Sequence, residues 1–161
     1  MLTVGDKLPS FDLKAVVSTD PKTAFAPITS DSAPGKWKVV FFWPKDFTFV
    51  CPTEIAEFGR LNEEFADRDA QVLGCSVDSE FVHLAWRKDH SDLKGLPFPM
   101  LSDLNRKLSS TLGILDDEGV AKRATFLVDP QGRIARHYED VDPETHSRQI
   151  LEDLEALRTA H

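Results

Sequence analysis

Residues 36–54, KWKVVFFWPKDFTFVCPTE, limit what this chain can become more than any other stretch. Bulky apolar residues run without interruption from Val39 through Trp43. A strand with one wet face alternates apolar and polar residues, so an unbroken run predicts a strand covered on both faces. Pro44 ends that strand, because an interior sheet position needs the backbone N–H that proline lacks. Pro52 then predicts a helix, since proline is tolerated in a first turn whose N–H groups have no intrahelical partner. Cys51 falls at that helix start. There the orphan N–H groups and the positive end of the helix dipole favour the thiolate, which is the nucleophilic form of cysteine.

The surroundings of this stretch narrow the class. A chain of 161 residues fits one domain over 1–161, large enough to bury a core without disulfide staples. Its only other cysteine is Cys75, which fits a reducing compartment, the cytoplasm, and excludes a multi-disulfide scaffold. A net charge of −8 without any basic cluster argues against nucleic acid as a partner. No apolar run approaches the roughly 20 residues of a spanning helix, and the opening MLTVGDKLP has no signal pattern, so no membrane association is expected.

Along the chain, strands and helices alternate. The first thirty-odd residues, punctuated by Pro9, Pro21, Pro27 and Pro34, predict short strands and loops, with Phe11 and Leu13 alternating. Ile55, Phe58, Leu61 and Phe65 recur at helical spacing, with Glu54, Glu57, Glu63 and Glu64 assigned to other faces, which predicts an amphipathic helix over 52–67. QVLGCSV at 71–77 predicts a strand, and Asp78 and Ser79 supply a helix start for 80–90. A Pro-rich piece at 97–101 precedes a helix expected from Asp103 through Leu112, closed by Gly113. Residues 123–128 and 133–138 read as a hairpin about the turn at 129–132, and Asp142 with Pro143 begins a last helix striped by Ile150, Leu151, Leu154 and Leu157. The pattern predicts an α/β fold with a central mixed sheet flanked by helices.

A cysteine followed by proline is weak evidence alone, because free cysteine usually just packs. Here Thr48 lies three residues ahead of Cys51, so hydroxyl and sulfur fit one face of a starting helix, and Pro44 closes the preceding loop in a P-x-x-x-T-x-x-C pattern. A dithiol motif would need a second thiol three residues on, and Glu54 stands there instead. By residue type alone, Thr48 also fits a helix cap, Arg123 an ion pair, and Glu54 a first-turn acid favourable to the dipole. Trp86 and His83 fit a core or interface helix face, and Cys75 fits a buried strand position. The histidines show no i,i+4 ligand pair, so no metal site is expected.

The segment FFWPKDFTFVCPTE resembles the active-site segment of peroxiredoxins, in particular the alkyl hydroperoxide reductase C branch. SVDSEFVHLAW at 76–86, PFPMLSD at 97–103 and RATFLVDPQG at 123–132 resemble later landmarks of that family, in the same order. The resemblance implies a thioredoxin-like fold with an N-terminal extension, no cofactor, and reduction of hydrogen peroxide and organic hydroperoxides. Carried over by position, Cys51 corresponds to the peroxidatic cysteine, Thr48 to the hydroxyl that holds the peroxide, Pro44 to the shielding residue and Arg123 to the guanidinium beside the sulfur. It also implies a thiol reductant, whether thioredoxin, a flavin disulfide reductase or a lipoyl-linked adaptor, and a homodimer assembling into a decamer or similar ring.

Two departures accompany the resemblance. Members of this branch usually carry a second, resolving cysteine in a C-terminal tail; His161 closes this sequence at the last helix without one, so the expectation is a longer natural chain, the alternative being a single peroxidatic cysteine served by an external thiol. The stretch DLKGLPFPM lacks the Gly-Gly-Leu-Gly insertion of peroxide-sensitive relatives, which implies resistance to over-oxidation. A thiol redox sensor and a ring-forming chaperone are the alternatives that the same scaffold allows.

Overall fold

A computed structural model describes residues 2–48, 51–139, 142 and 145–160, and for Cys51 the backbone alone. The elements are β1 (Asp12–Val16), β2 (Phe25–Thr29), β3 (Trp37–Phe42), α1 (Cys51–Arg60), α2 (Asn62–Asp67), β4 (Ala70–Ser76), α3 (Glu80–Asp89), β5 (Met100–Ser102), α4 (Lys107–Leu112), β6 (Ala124–Val128), β7 (Ile134–Glu139) and α5 (His146–Ala160). The strands form one mixed sheet in the order β2-β1-β5-β4-β3-β6-β7. β3, β4 and β5 run parallel, and the other pairings are antiparallel.

The apolar run lies at the centre of this sheet, between β4 and β6, and every residue of β3 is buried. Side chains of a strand alternate between faces. Val39, Phe41 and Trp43 accordingly join Ile55, Phe58 and Phe65 of α1 and α2, Trp86 of α3 and Ile150 of α5 in one core. Val40 and Phe42 join Leu73, Phe126 and Leu108 of α4 in the other. A strand covered on both faces and a mixed sheet flanked by helices are therefore what the structure contains.

Three boundaries differ from expectation. The helix over 52–67 is two helices, because Leu61 takes φ −94° and ψ 3°, although its N–H still reaches the Glu57 carbonyl at 3.1 Å. No proline marks the break; Gly59, two residues before it, is the helix-weakening residue that the sequence offers there. The helix expected from Asp103 starts at Lys107, after Arg106 has entered the left-handed region at φ 63°. Asp103 instead caps it from outside, its carboxylate accepting bonds from the backbone N–H groups of Leu108 and Ser109 at 3.2 and 2.8 Å. The Pro-rich piece at 97–101 leads into β5, a three-residue strand too short to show a period. β5 pairs with β4 on one side and β1 on the other, so it ties the N-terminal hairpin into the sheet. Pro27 sits in β2, the outermost strand, where a missing N–H is tolerated.

Candidate active site

The site is assembled at the end of β3. Register pairs Phe42 with Cys75 of β4 and with Ala124 of β6, so Arg123 enters the sheet beside the point where the chain leaves it. The chain then runs through Pro44, Asp46 and Thr48 to Cys51, whose backbone opens α1 as the Cys-Pro sequence predicts. Phe49, Val50 and the Cys51 side chain lie outside the described residues, so the expected sharing of one face by the Thr48 hydroxyl and the sulfur lies outside them too.

Arg123 meets this helix in its first turn. Its Nη1 donates to Oε1 of Glu54 at 3.3 Å. Glu54 is 1% exposed and the guanidinium side chain 18%. This corrects the assignment of Glu54 to an outer face. Glu54, Phe58, Leu61 and Phe65 fall at steps of four, three and four, which is itself a helical stripe, so the carboxylate points inward with the core residues. Burial pushes the Glu54 carboxyl up to about 7, and Arg123 only partly opposes this. Its Oε2 has no hydrogen-bond partner among the described residues.

Beneath Arg123 lies His146, at the start of α5. Burial, and then the nearby Arg123 charge, hold His146 down to about 4, so it is neutral, with Nε2 2.7 Å from the Thr125 hydroxyl. The Arg123 charge thus acts on both the Glu54 carboxyl and the neutral His146 imidazole. Thr48 is exposed in the loop, its hydroxyl donating to the Lys45 carbonyl at 3.4 Å. Pro44 is half-buried directly after Trp43.

Cys75 lies in β4, fully buried, and burial holds its thiol well above the ordinary range. It is the inert strand cysteine the sequence suggests. Among the described residues no three metal-ligating side chains come together. His83 and Trp86 are buried on α3, as their helix-face reading predicts.

Comparison with known proteins bears on this arrangement. Residues 4–137 match the model of the AhpC/TSA family. The chain belongs to that family. As a peroxiredoxin it is 58% identical to the alkyl hydroperoxide reductase C of Mycobacterium tuberculosis over 142 residues, 83% of this chain and 73% of the relative. It is 40% identical to the chloroplastic 2-cysteine peroxiredoxin of Chattonella marina var. antiqua over 161 residues, 98% of this chain and 80% of that one. The solved structure of Mycobacterium tuberculosis AhpC superposes with a TM-score of 0.92 at 50% identity, covering all of this chain (100%) and 96% of the other. The fold is the thioredoxin-like fold of peroxiredoxins, and the activity is that of a thiol-dependent peroxidase.

Proposed function

We propose that Cys51 is the nucleophile of this peroxidase, acting on hydrogen peroxide and small organic hydroperoxides. The supporting observation is the Arg123 guanidinium, 3.3 Å from a carboxyl in the first turn of the helix that Cys51 begins. An ordinary thiol with pKa about 8.5 is only a few per cent ionised at pH 7, so full ionisation gains roughly thirtyfold, about 2 kcal/mol. That leaves most of a fast reaction to donors aimed at the departing oxygen, which is the role of Arg123 and of the Thr48 hydroxyl. The thiolate sulfur attacks one oxygen of ROOH; the S–O bond forms as the O–O bond breaks. The electron pair leaves as RO⁻, which takes a proton to become ROH, and sulfur remains as the sulfenic acid. Pro44 shields the sulfur from water.

A second thiol completes the cycle by displacing water from the sulfenic acid to form a disulfide, which a protein dithiol then reduces. Cys75 takes no part, being buried in β4. One domain over 1–161 carries the peroxide-reducing step, in the cytoplasm. The test is intact mass after one equivalent of peroxide. Wild type gains one oxygen or forms a disulfide, and Cys51→Ser gains nothing; a persistent gain in the variant overturns the assignment.

Assembly into a ring of dimers is supported by apolar side chains left on one side of α3. Phe81 and Val82 of its first turns are exposed, at 67% and 37%, and Phe47 presents its ring beside Trp86 of the same helix. A second copy of this chain is the occupant proposed for that surface.

A further inference from the structure

The loop between β3 and α1 is held at its midpoint by a side chain with no part in the chemistry above. Asp46 lies between Pro44 and Thr48 and is 7% exposed. Its Oδ1 accepts from the Trp43 indole N–H at 2.8 Å, and its Oδ2 lies 2.5 Å from Nδ1 of His83 on α3. Its backbone N–H donates to Oδ2 of Asp78 at 2.9 Å, and that oxygen also accepts from the Ser76 hydroxyl at 2.7 Å. The other ring nitrogen of His83, Nε2, lies 2.9 Å from the Leu101 carbonyl in β5. A carbonyl only accepts, so Nε2 carries a proton, and Nδ1 shares a second one with Asp46, whose carboxyl burial also pushes up. Burial opposes charge on this ring, yet Asp46 and the Leu101 carbonyl hold its pKa above the ordinary histidine value.

Trp43, just past β3, and His83 of α3 therefore meet on the Asp46 carboxyl, while Asp78, just past β4, holds the Asp46 backbone N–H and Leu101 of β5 holds the far side of the imidazole. The next residue shows the consequence. Phe47 adopts φ 61°, a region that bulky side chains enter only when their surroundings over-determine it. Its ring rests 5.9 Å from Trp86, whose indole in turn lies 6.4 Å from Trp43. Stability alone is a poor reason for such a pair, because desolvating two ionisable groups offsets most of their attraction. What the pair does supply is a fixed path for residues 44–48.

We propose that His83 and Asp46 are positioning residues for peroxide binding: the pair fixes the loop, and so sets where Pro44 and Thr48 stand relative to the helix start at Cys51. This rests on the assignment of Cys51 and Thr48 above. It predicts a division of labour. Ionisation of the sulfur belongs to α1 and its surroundings, whereas seating of the peroxide belongs to the clamped loop.

Two single-turnover rates on the full chain separate these: oxidation of Cys51 by hydrogen peroxide, and its alkylation by iodoacetamide, which needs only the thiolate. In His83→Ala, peroxide oxidation slows roughly tenfold to hundredfold, the scale on which misplaced contacts act. Alkylation stays at the wild-type rate. Asp46→Asn preserves the geometry with a neutral ring, since its carbonyl accepts from Trp43 and its amide donates to Nδ1, so it keeps the wild-type peroxide rate. Unchanged peroxide oxidation in His83→Ala overturns the proposal, as does an equal loss in both reactions or an Asp46→Asn as slow as His83→Ala. Should His83→Ala lose its circular dichroism signature, His83→Gln, which keeps one of the two donors, carries the same comparison with the same outcomes. Failure of the underlying assignment is distinct: wild-type Cys51 would then resist peroxide, whatever the variants do.

Discussion

Glu54 shows how one buried carboxyl governs its surroundings. One oxygen takes the Arg123 guanidinium, the other has no partner among the described residues, and burial lifts its pKa from 4.5 to about 7. A raised carboxyl pKa means that the folded chain binds more protons than the unfolded chain between those two values, so stability falls as pH rises through that window. The effect amounts to at most about 3 kcal/mol. His146 acts in the opposite sense: burial first, and then Arg123, depress it from 6.5 to about 4, so its contribution grows as pH rises across that range. The two overlap and partly cancel in the wild type. The difference between Glu54→Gln and wild type removes His146 from the comparison. In urea unfolding the variant should gain on the wild type from pH 4.5 to about pH 7 and then level off. A difference that stays flat across that range means that Glu54 does not titrate there.

At the scale of elements, the site depends on how closely β3 and β4 approach the helices above them. Gly74 lies under the Trp43 indole: a Cβ placed there would come within 2.7 Å of one ring carbon and 3.0 Å of the next, with Phe41 at 3.2 Å. These rings are fully buried, so they have little room to retreat. Gly74→Ala should therefore destabilise by about 1–3 kcal/mol, the usual penalty of overpacking. Because Trp43 also donates to Asp46, the same change should quench or shift the tryptophan fluorescence of the folded state. Unaltered urea midpoint and spectrum would mean that the indole slides aside without cost. The α3 helix is held just as locally at its other end. Arg87, buried, donates to the carbonyls of Val16, Leu93 and Leu96, which fastens the connection between α3 and β5 to β1. Two polar nodes on one helix, His83 and Arg87, thus tie it to both the active-site loop and the N-terminal hairpin.

At the scale of the whole molecule, the exposed apolar side chains proposed for assembly adjoin the loop between β3 and α1. Phe47 follows the hydrogen-bonded Asp46 in the loop between β3 and α1, and its exposed ring lies against the helix that also presents Phe81 and Val82. Phe81 further meets Phe25 of β2 edge to face, with ring centroids 5.3 Å apart. If a second copy covers this surface, burying Phe81 contributes about 2 kcal/mol per contact, and a charge there forfeits at least that much. Phe81→Glu should accordingly weaken association by about thirtyfold or more, seen as smaller species in sedimentation velocity with an unchanged circular dichroism spectrum. An assembly of wild-type size at the same concentration would remove this face from the interface.

The sequence by itself determined what depends on neighbours along the chain. The run from Val39 to Trp43 demanded cover on both faces, Pro44 and Pro52 bracketed a loop between strand and helix, and Gly113 ended α4 in the left-handed region. The ordered family segments supplied the rest of the outline, including Cys51, Thr48, Pro44 and Arg123 as the candidate set. Glu54 was legible in principle, since its four-three-four spacing with Phe58, Leu61 and Phe65 is a local signal that the acidic side chain masks. The tertiary structure alone decided which distant residues meet. Arg123 reaches Glu54 because β6 pairs antiparallel with β3 in one particular register, and His83 reaches Asp46 because α3, packed along β1 and β5, sets its ring beside Trp43 just past the end of β3. Such contacts are fixed by sheet register and core packing, which no window of neighbouring residues contains.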